Sequence, residues 1–167
     1  VVFYPGSTIG NLTPAAAVRL LSRIRAWVGE GGGALVGVDL HKSSRVLNRA
    51  YNDAGGVTAA FNLNVLNAVN MLLNADFRPE KFAHLAYYNA TARRVEMHLV
   101  SREAQCVNLE GGIIQLAARE TIHTENSYKY TVSGFARLAR RAGLELRRSW
   151  LDRDALFSVH YLEPDAP

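Results

Sequence analysis

Glu125, Asn126 and Ser127 stand side by side in residues 121–130, TIHTENSYKY, with Tyr128 and Tyr130 close behind. A carboxylate accepts N–H groups, a hydroxyl gives or takes a proton, and an amide does both, so the trio has the chemistry to read a small polar ligand. Such a density of hydrogen-bonding groups beside aromatic rings suits a pocket better than a plain surface loop. The same residues also suit a tight turn before a helix, with Ser and Asn capping backbone N–H groups. Spacing alone leaves both readings open.

A second segment of the same kind opens the chain. Residues 1–11, VVFYPGSTIGN, run four β-formers into Pro5 and a glycine turn ending at Asn11. In an open α/β sheet, a turn at the carboxyl end of a strand is where ligands bind. No Lys follows Gly10, so the turn is not a Walker loop, and no G-x-G-x-x-G follows the strand. The chain begins with Val, inside a strand, so it is expected to be part of a longer protein with the front of an α/β domain upstream.

The elements that must position these residues follow from periodicity. Thr13 and Pro14 mark the start of a helix whose Val18, Leu21, Ile24 and Val28 recur on one face, and the glycines at 29–33 stop it. The apolar run 34–38, ending at Asp39, predicts a second buried strand, so the opening reads as a β-α-β crossover of a parallel sheet. A helix is expected over 43–51. A longer one should follow, lined by Val57, Phe61, Val65, Ala68 and Leu72, and then an antiparallel meander over 94–102, 105–109 and 113–117. The sheet resumes with a helix capped by Thr131 and stopped by Gly143, then strands over 144–150 and 157–162 that can form a hairpin. The expected organisation is part of an α/β domain with a parallel sheet (1–40), an inserted α+β domain (41–129) and the remainder of the first domain (130–167).

Composition narrows the function classes. Hydrophobic residues at 49% and charged residues at 20% are those of an ordinary globular domain. No apolar run approaches the roughly 18 residues of a membrane span, and nothing resembles a signal peptide. The lone Cys106 reads as a small buried hydrophobe in a strand, and a reducing, cytoplasmic setting is expected. Arg137, Arg140 and Arg141 share a helix face opposite Val132, Phe135, Leu138 and Ala142, which is a solvated face rather than a nucleic-acid surface. The five histidines, His41, His84, His98, His123 and His160, show no metal-ligand spacing, so no metal is expected.

Five separated stretches resemble the histidine-specific, S-adenosylmethionine-dependent methyltransferase family: PGSTIGN (5–11), AYNDAGGVTAAFNLN (50–64), VEMHLVS (95–101), ETIHTENSYKY (120–130) and FSVHYL (157–162). The resemblance is nearest to members that methylate the α-nitrogen of L-histidine on the way to ergothioneine. It implies a Rossmann-like class I methyltransferase sheet interrupted by a substrate-binding insertion, with S-adenosylmethionine as cofactor and its main binding elements upstream of Val1. The implied reaction is trimethylation of L-histidine to hercynine, by an enzyme expected to be a monomer. Relatives acting on another amino acid or a histidine derivative, and a non-catalytic ligand-binding protein of the same fold, are the alternatives.

By the same resemblance, Asn11 holds the amino-acid backbone of the substrate and Tyr51 contacts its carboxylate. Glu125 and Ser127 read the imidazole, Asn126 lies between them, and Met97 packs beside the ring. No residue is assigned as catalytic. On spacing alone, Asn11 also reads as a turn residue, Tyr51 as a packed ring and Met97 as core.

Overall fold

The computed structural model describes residues 1–165. The chain divides into two compact units. The first comprises Val1–Ser43, Ala90–Arg94 and Asn126–Pro167, and the second Ser44–Asn89 and Val95–Glu125.

In the first unit a four-stranded sheet runs β1 (Val2–Tyr4), β2 (Ala34–Asp39), β9 (Phe157–Pro164), β8 (Leu144–Leu151) in spatial order. β1 and β2 are parallel, joined by helix α1 (Pro14–Val28) as the crossover pattern predicted. The β8–β9 hairpin inserts β9 antiparallel against β2 and leaves β8 at the edge. Thr13 caps α1 by accepting the Ala16 N–H, and Leu21 and Ile24 are buried. Helix α4 (Val132–Arg140) is capped by Thr131 through the Gly134 N–H and buries Phe135, Leu138 and Ala139, with Arg137 and Arg140 outside. Gly37 in β2 cannot carry a side chain, because a Cβ there would lie 2.9 Å from the Phe157 ring and 3.1 Å from Gly6 N.

The second unit holds helices α2 (Ser44–Tyr51) and α3 (Val57–Leu73), with strands β3 (Phe82–Asn89), β4 (Arg94–Ser101), β5 (Gln105–Leu109), β6 (Gly112–Leu116) and β7 (Thr121–Tyr128). The expected meander is instead a separate β5–β6 hairpin beside a three-stranded sheet of order β3-β4-β7. β4 and β7 pass from one unit to the other along their length.

Three further expectations are corrected. The 121–128 segment is strand β7, not a turn. Its Thr, Ile and Tyr residues favour a strand, and pairing within the sheet satisfies the backbone groups that a polar turn would leave to its side chains. The face of α3 lined by Val57, Phe61, Val65, Ala68 and Leu72 points outward, with Phe61 63% and Leu72 78% exposed; burial falls on Asn62 and Leu66. This helix is apolar on nearly every side, so periodicity does not choose its inner face, and the hydrogen bonds of Asn62 do. Cys106 is exposed, because strand alternation sends Val107 inward and Cys106 outward.

Candidate functional site

The glycine turn after β1 is a single turn of 3-10 helix over Thr8–Asn11. Ser7 precedes it in the left-handed region (φ 57°), and its buried hydroxyl accepts the Asp39 N–H at 2.8 Å. This ties the turn to the carboxyl end of β2. Gly10 presses against the end of β7: a Cβ there would lie 3.0 Å from the Tyr128 carbonyl oxygen. The two segments singled out in the sequence thus meet through backbone that only glycine allows to approach so closely. Asn11 closes the turn with its side chain exposed.

Beyond β7 the chain pairs with the extension of β2. Tyr130 N donates to Asp39 O, and His41 N donates to Tyr130 O at 2.8 Å, around a parallel bridge between Leu40 and Tyr130. That pairing sets Lys129 beside Asp39. Lys129 Nζ is 2.7 Å from Asp39 Oδ2 and donates to Ser127 Oγ at 2.7 Å, while Lys42 Nζ holds Asp39 Oδ1 at 2.6 Å. Ser127 is buried, and Asn126 has a buried Oδ1 with no hydrogen-bond partner in the structure. Tyr130 is also buried without a partner for its hydroxyl, and burial pushes that hydroxyl up to about 12. A cavity of about 230 Å³ is lined by His41, Arg93, Lys129 and Thr131.

In the second unit Tyr51 ends α2, and its ring packs against a small core of Leu47, Ala86, Val95 and Met97. The structure thus brings Tyr51 and Met97 together, within an apolar cluster. The Tyr51 carbonyl lies 2.8 Å from His84 Nε2, and Asn62 Nδ2 lies 3.0 Å from His84 Nδ1. An amide NH₂ only donates, so Nδ1 accepts and Nε2–H donates to Tyr51 O. Asn62 also donates to His98 O, and its Oδ1 accepts from the Thr124 hydroxyl at 2.6 Å. Thr124 is shared with Met97 O at 3.0 Å. This relay fixes the end of α2 through its backbone and places Glu125 one residue beyond Thr124. Asn62, His84, Thr124, Asp39 and Lys129 were missed in the sequence. Asn62, Thr124 and Lys129 carried one signal, their place within the family-like stretches, whereas Asp39 and His84 lie outside those stretches and carried none.

The opposite face of β4 carries Glu96 and His98. With His123 they gather ligand-type atoms within 4.8 Å of one another, a grouping that sequence spacing did not predict. The two imidazoles stack, with centroids 4.5 Å apart and planes 21° from parallel. Their in-plane lone pairs cannot converge on one ion about 2.1 Å from each nitrogen. Glu96 accepts instead from Tyr87 Oη at 2.7 Å and Asn89 Nδ2 at 3.0 Å.

The family model for histidine-specific, S-adenosylmethionine-dependent methyltransferases matches residues 1–164. The chain belongs to that family. It is 42% identical over 154 residues to the histidine N-alpha-methyltransferase of Mycolicibacterium smegmatis, covering 91% of this chain and 48% of that protein. It is 28% identical over 165 residues to the L-tryptophan methyltransferase of Psilocybe serbica, covering 95% of this chain and 45% of that protein. The chain thus spans about half the length of these relatives. Among solved structures it resembles the CcbJ methyltransferase of Streptomyces caelestis, with a TM-score of 0.51, 15% identity, and coverage of 98% of this chain and 59% of that one. That likeness supports the Rossmann-like fold alone.

The family implies S-adenosylmethionine, and the first glycine turn offers it no cradle by itself. Ser7's hydroxyl is occupied by the Asp39 N–H, and Gly10 is pressed against Tyr128. No cofactor contact is assigned to residues of this chain. Among the described residues, no helix is long and apolar enough to cross a membrane.

Proposed function

We propose that the complete protein transfers methyl groups from S-adenosylmethionine to the α-nitrogen of L-histidine, three times in succession, giving hercynine. The observation that carries this reading is the family match over residues 1–164 together with 42% identity to a histidine N-alpha-methyltransferase. S-Adenosylmethionine supplies the electrophilic methyl group. The amine must be neutral to attack, so the task of this chain is to align and desolvate the amino acid rather than to supply a dedicated base.

In this reading Asn11 holds the amino-acid backbone and Tyr51 the carboxylate. Glu125 accepts one imidazole N–H and Ser127 donates to the other nitrogen, with Asn126 and Met97 beside the ring. A site built on such hydrogen bonds rejects apolar analogues, because they leave its buried polar groups unpaired. The chemistry needs only a small-molecule substrate.

Mass spectrometry of the complete protein with cofactor and either histidine or tryptophan tests the reading. Mono-, di- and trimethylhistidine should appear in sequence. Methylated tryptophan instead would move the protein toward the relative named for that substrate, and no methyl transfer to either would favour a ligand-binding protein of the same fold. Glu125→Ala should then weaken histidine binding by about 2 to 5 kcal/mol while leaving cofactor binding nearly unchanged. Calorimetry with each ligand reads both quantities, and parental histidine affinity would remove Glu125 from the site.

A further inference from the structure

Tyr51 and Glu125, assigned to the two ends of the amino acid, are tied inside the second unit to one buried amide. His84 Nε2 lies 2.8 Å from Tyr51 O, His84 Nδ1 lies 3.0 Å from Asn62 Nδ2, and Asn62 Oδ1 lies 2.6 Å from the hydroxyl of Thr124, one residue before Glu125. Asn62 also donates to His98 O at 3.1 Å. Tyr51 O and His98 O are carbonyls and can only accept, so the imidazole N–H faces the first and the amide NH₂ the second. That leaves Oδ1 for Thr124. One arrangement of donors and acceptors satisfies the whole path, and a fully satisfied buried network is rigid.

Asn62 is 1% exposed, on a helix that is apolar on nearly every side. An apolar residue would fill this place without the desolvation cost of an amide. What the amide adds is a link between elements far apart in sequence: the end of α2 and strand β3 through His84, and strand β7 through Thr124. β7 is held at the same point from its other face, where strand alternation places His123. The carbonyl of Glu125 can only accept, so His123 donates to it from Nε2 at 3.1 Å, and the His123 ring stacks on His98. The backbone of Glu125 is thus held directly beside the Thr124 anchor.

We infer that Asn62 is a positioning residue that sets the length of the amino acid accepted: it holds Tyr51 and Glu125 at one separation, so the site takes a ring one methylene from Cα and rejects the homologue with two. This rests on the reading that Tyr51 takes the carboxylate and Glu125 the imidazole. It goes beyond that reading by naming the residue that fixes the span between them and the substrate property that the span selects.

The test uses the complete protein with histidine and homohistidine in equimolar competition, and mass spectrometry of the methylated products reads the ratio of their kcat/KM values. The parent should prefer histidine by about tenfold or more, the usual worth of one methylene. Thr124→Val, which cuts the path at β7, should lower that preference several-fold, and Thr124→Ser should restore it. Asn62→Leu should lower it at least as far, and adding Thr124→Val to Asn62→Leu should change nothing more. Both substrates meet the same enzyme molecules, so partial unfolding lowers both rates alike and leaves the ratio in place. A parental ratio in Thr124→Val and Asn62→Leu therefore overturns the positioning role, whatever activity is lost, and so does a parent that takes both substrates equally. If Asn62→Leu does not fold, the two Thr124 variants decide alone. Glu125→Ala tests the reading beneath: it should raise KM for histidine more than tenfold, and a parental KM removes the ring contact on which the inference stands.

Discussion

The two units bury polar groups by opposite means. In the first, Asp39, Lys42, Lys129 and Ser127 form a charged cluster around a lysine with no exposed side-chain surface. In the second, Tyr51, His84, Asn62 and Thr124 form a neutral relay whose terminal partners are backbone carbonyls. The charged cluster makes a hydroxyl oxygen an acceptor, because an ammonium can only donate. The neutral relay dictates where a helix ends, because its amide and imidazole each have one fixed donor and one fixed acceptor toward their neighbours. Compensating a buried charge and positioning a backbone are different requirements, and the molecule meets them with different chemistry.

Breaking one partner of the charged cluster should produce the largest effect. Asp39→Ala removes the carboxylate beside the buried Lys129 ammonium, and breaking one partner of a buried ion pair destabilises by about 3 to 5 kcal/mol. Replacing both partners by uncharged residues, Asp39→Asn with Lys129→Met, should restore a good part of that loss. Urea unfolding of both variants checks the comparison. A double variant no more stable than Asp39→Ala would show that the two groups do not act as a pair.

The neutral relay should fail more gently. Asn62→Leu fills the same buried space but takes the amide donor away from His84 Nδ1 and His98 O, while the Thr124 hydroxyl keeps Met97 O. Unmet buried groups cost about 1 to 3 kcal/mol each and do not add in full, so a total near 3 kcal/mol is expected. The same unfolding measurement applies. A loss equal to or above that of Asp39→Ala would erase the distinction between the two systems.

A neutral buried group in the first unit sharpens the contrast. His160 is fully buried, stacked on Phe135 with its nitrogens each 2.8 Å from a serine hydroxyl, Ser149 and Ser158. Burial lowers its pKa from 6.5 to about 4. The unfolded chain therefore takes up the proton first, and the stability present above pH 6.5 is lost as pH falls toward 4. Between pH 7 and pH 5 the loss should be about 2 kcal/mol. His160→Gln removes this group from the titration, so its pH dependence over that interval should be shallower than the parent's by that amount. Equal slopes would show that His160 does not control acid sensitivity.

Much of the framework was legible because local signals agreed. Thr13-Pro14 starts α1, Gly29 stops it, and the apolar run of β2 reads as a strand buried on both faces. Gly143 and the two closing strands were equally plain. The neutral relay was not legible: α3 is apolar almost all round, so the sequence could not say that Asn62 rather than Phe61 faces inward. β7 was hidden for a related reason. Its polar residues match turn chemistry locally, and only pairing within a sheet makes a strand of them. The site residues Asn11, Tyr51, Met97, Glu125, Asn126 and Ser127 came from family-like stretches, whereas Lys129 and Asp39 carry no pattern of their own. A buried ion pair between residues ninety positions apart is a fact of tertiary structure.

The smallest expected effect probes the end of the relay nearest Glu125. The Thr124 hydroxyl has one proton, which lies between Asn62 Oδ1 at 2.6 Å and Met97 O at 3.0 Å. Thr124→Val keeps the shape and the β-branch, so strand propensity is preserved, and it deletes only that donor. Asn62 Oδ1 then loses its partner while both amide hydrogen bonds to His84 and His98 persist. The expected loss is about 1 kcal/mol, a typical single hydrogen bond, and Thr124→Ser should recover most of it because the hydroxyl returns. Urea unfolding of the two variants beside the parent reads the difference. If Thr124→Val is as stable as the parent while Asn62→Leu is not, the relay stops at Asn62, and β7 is held to α3 by packing rather than by this hydrogen bond.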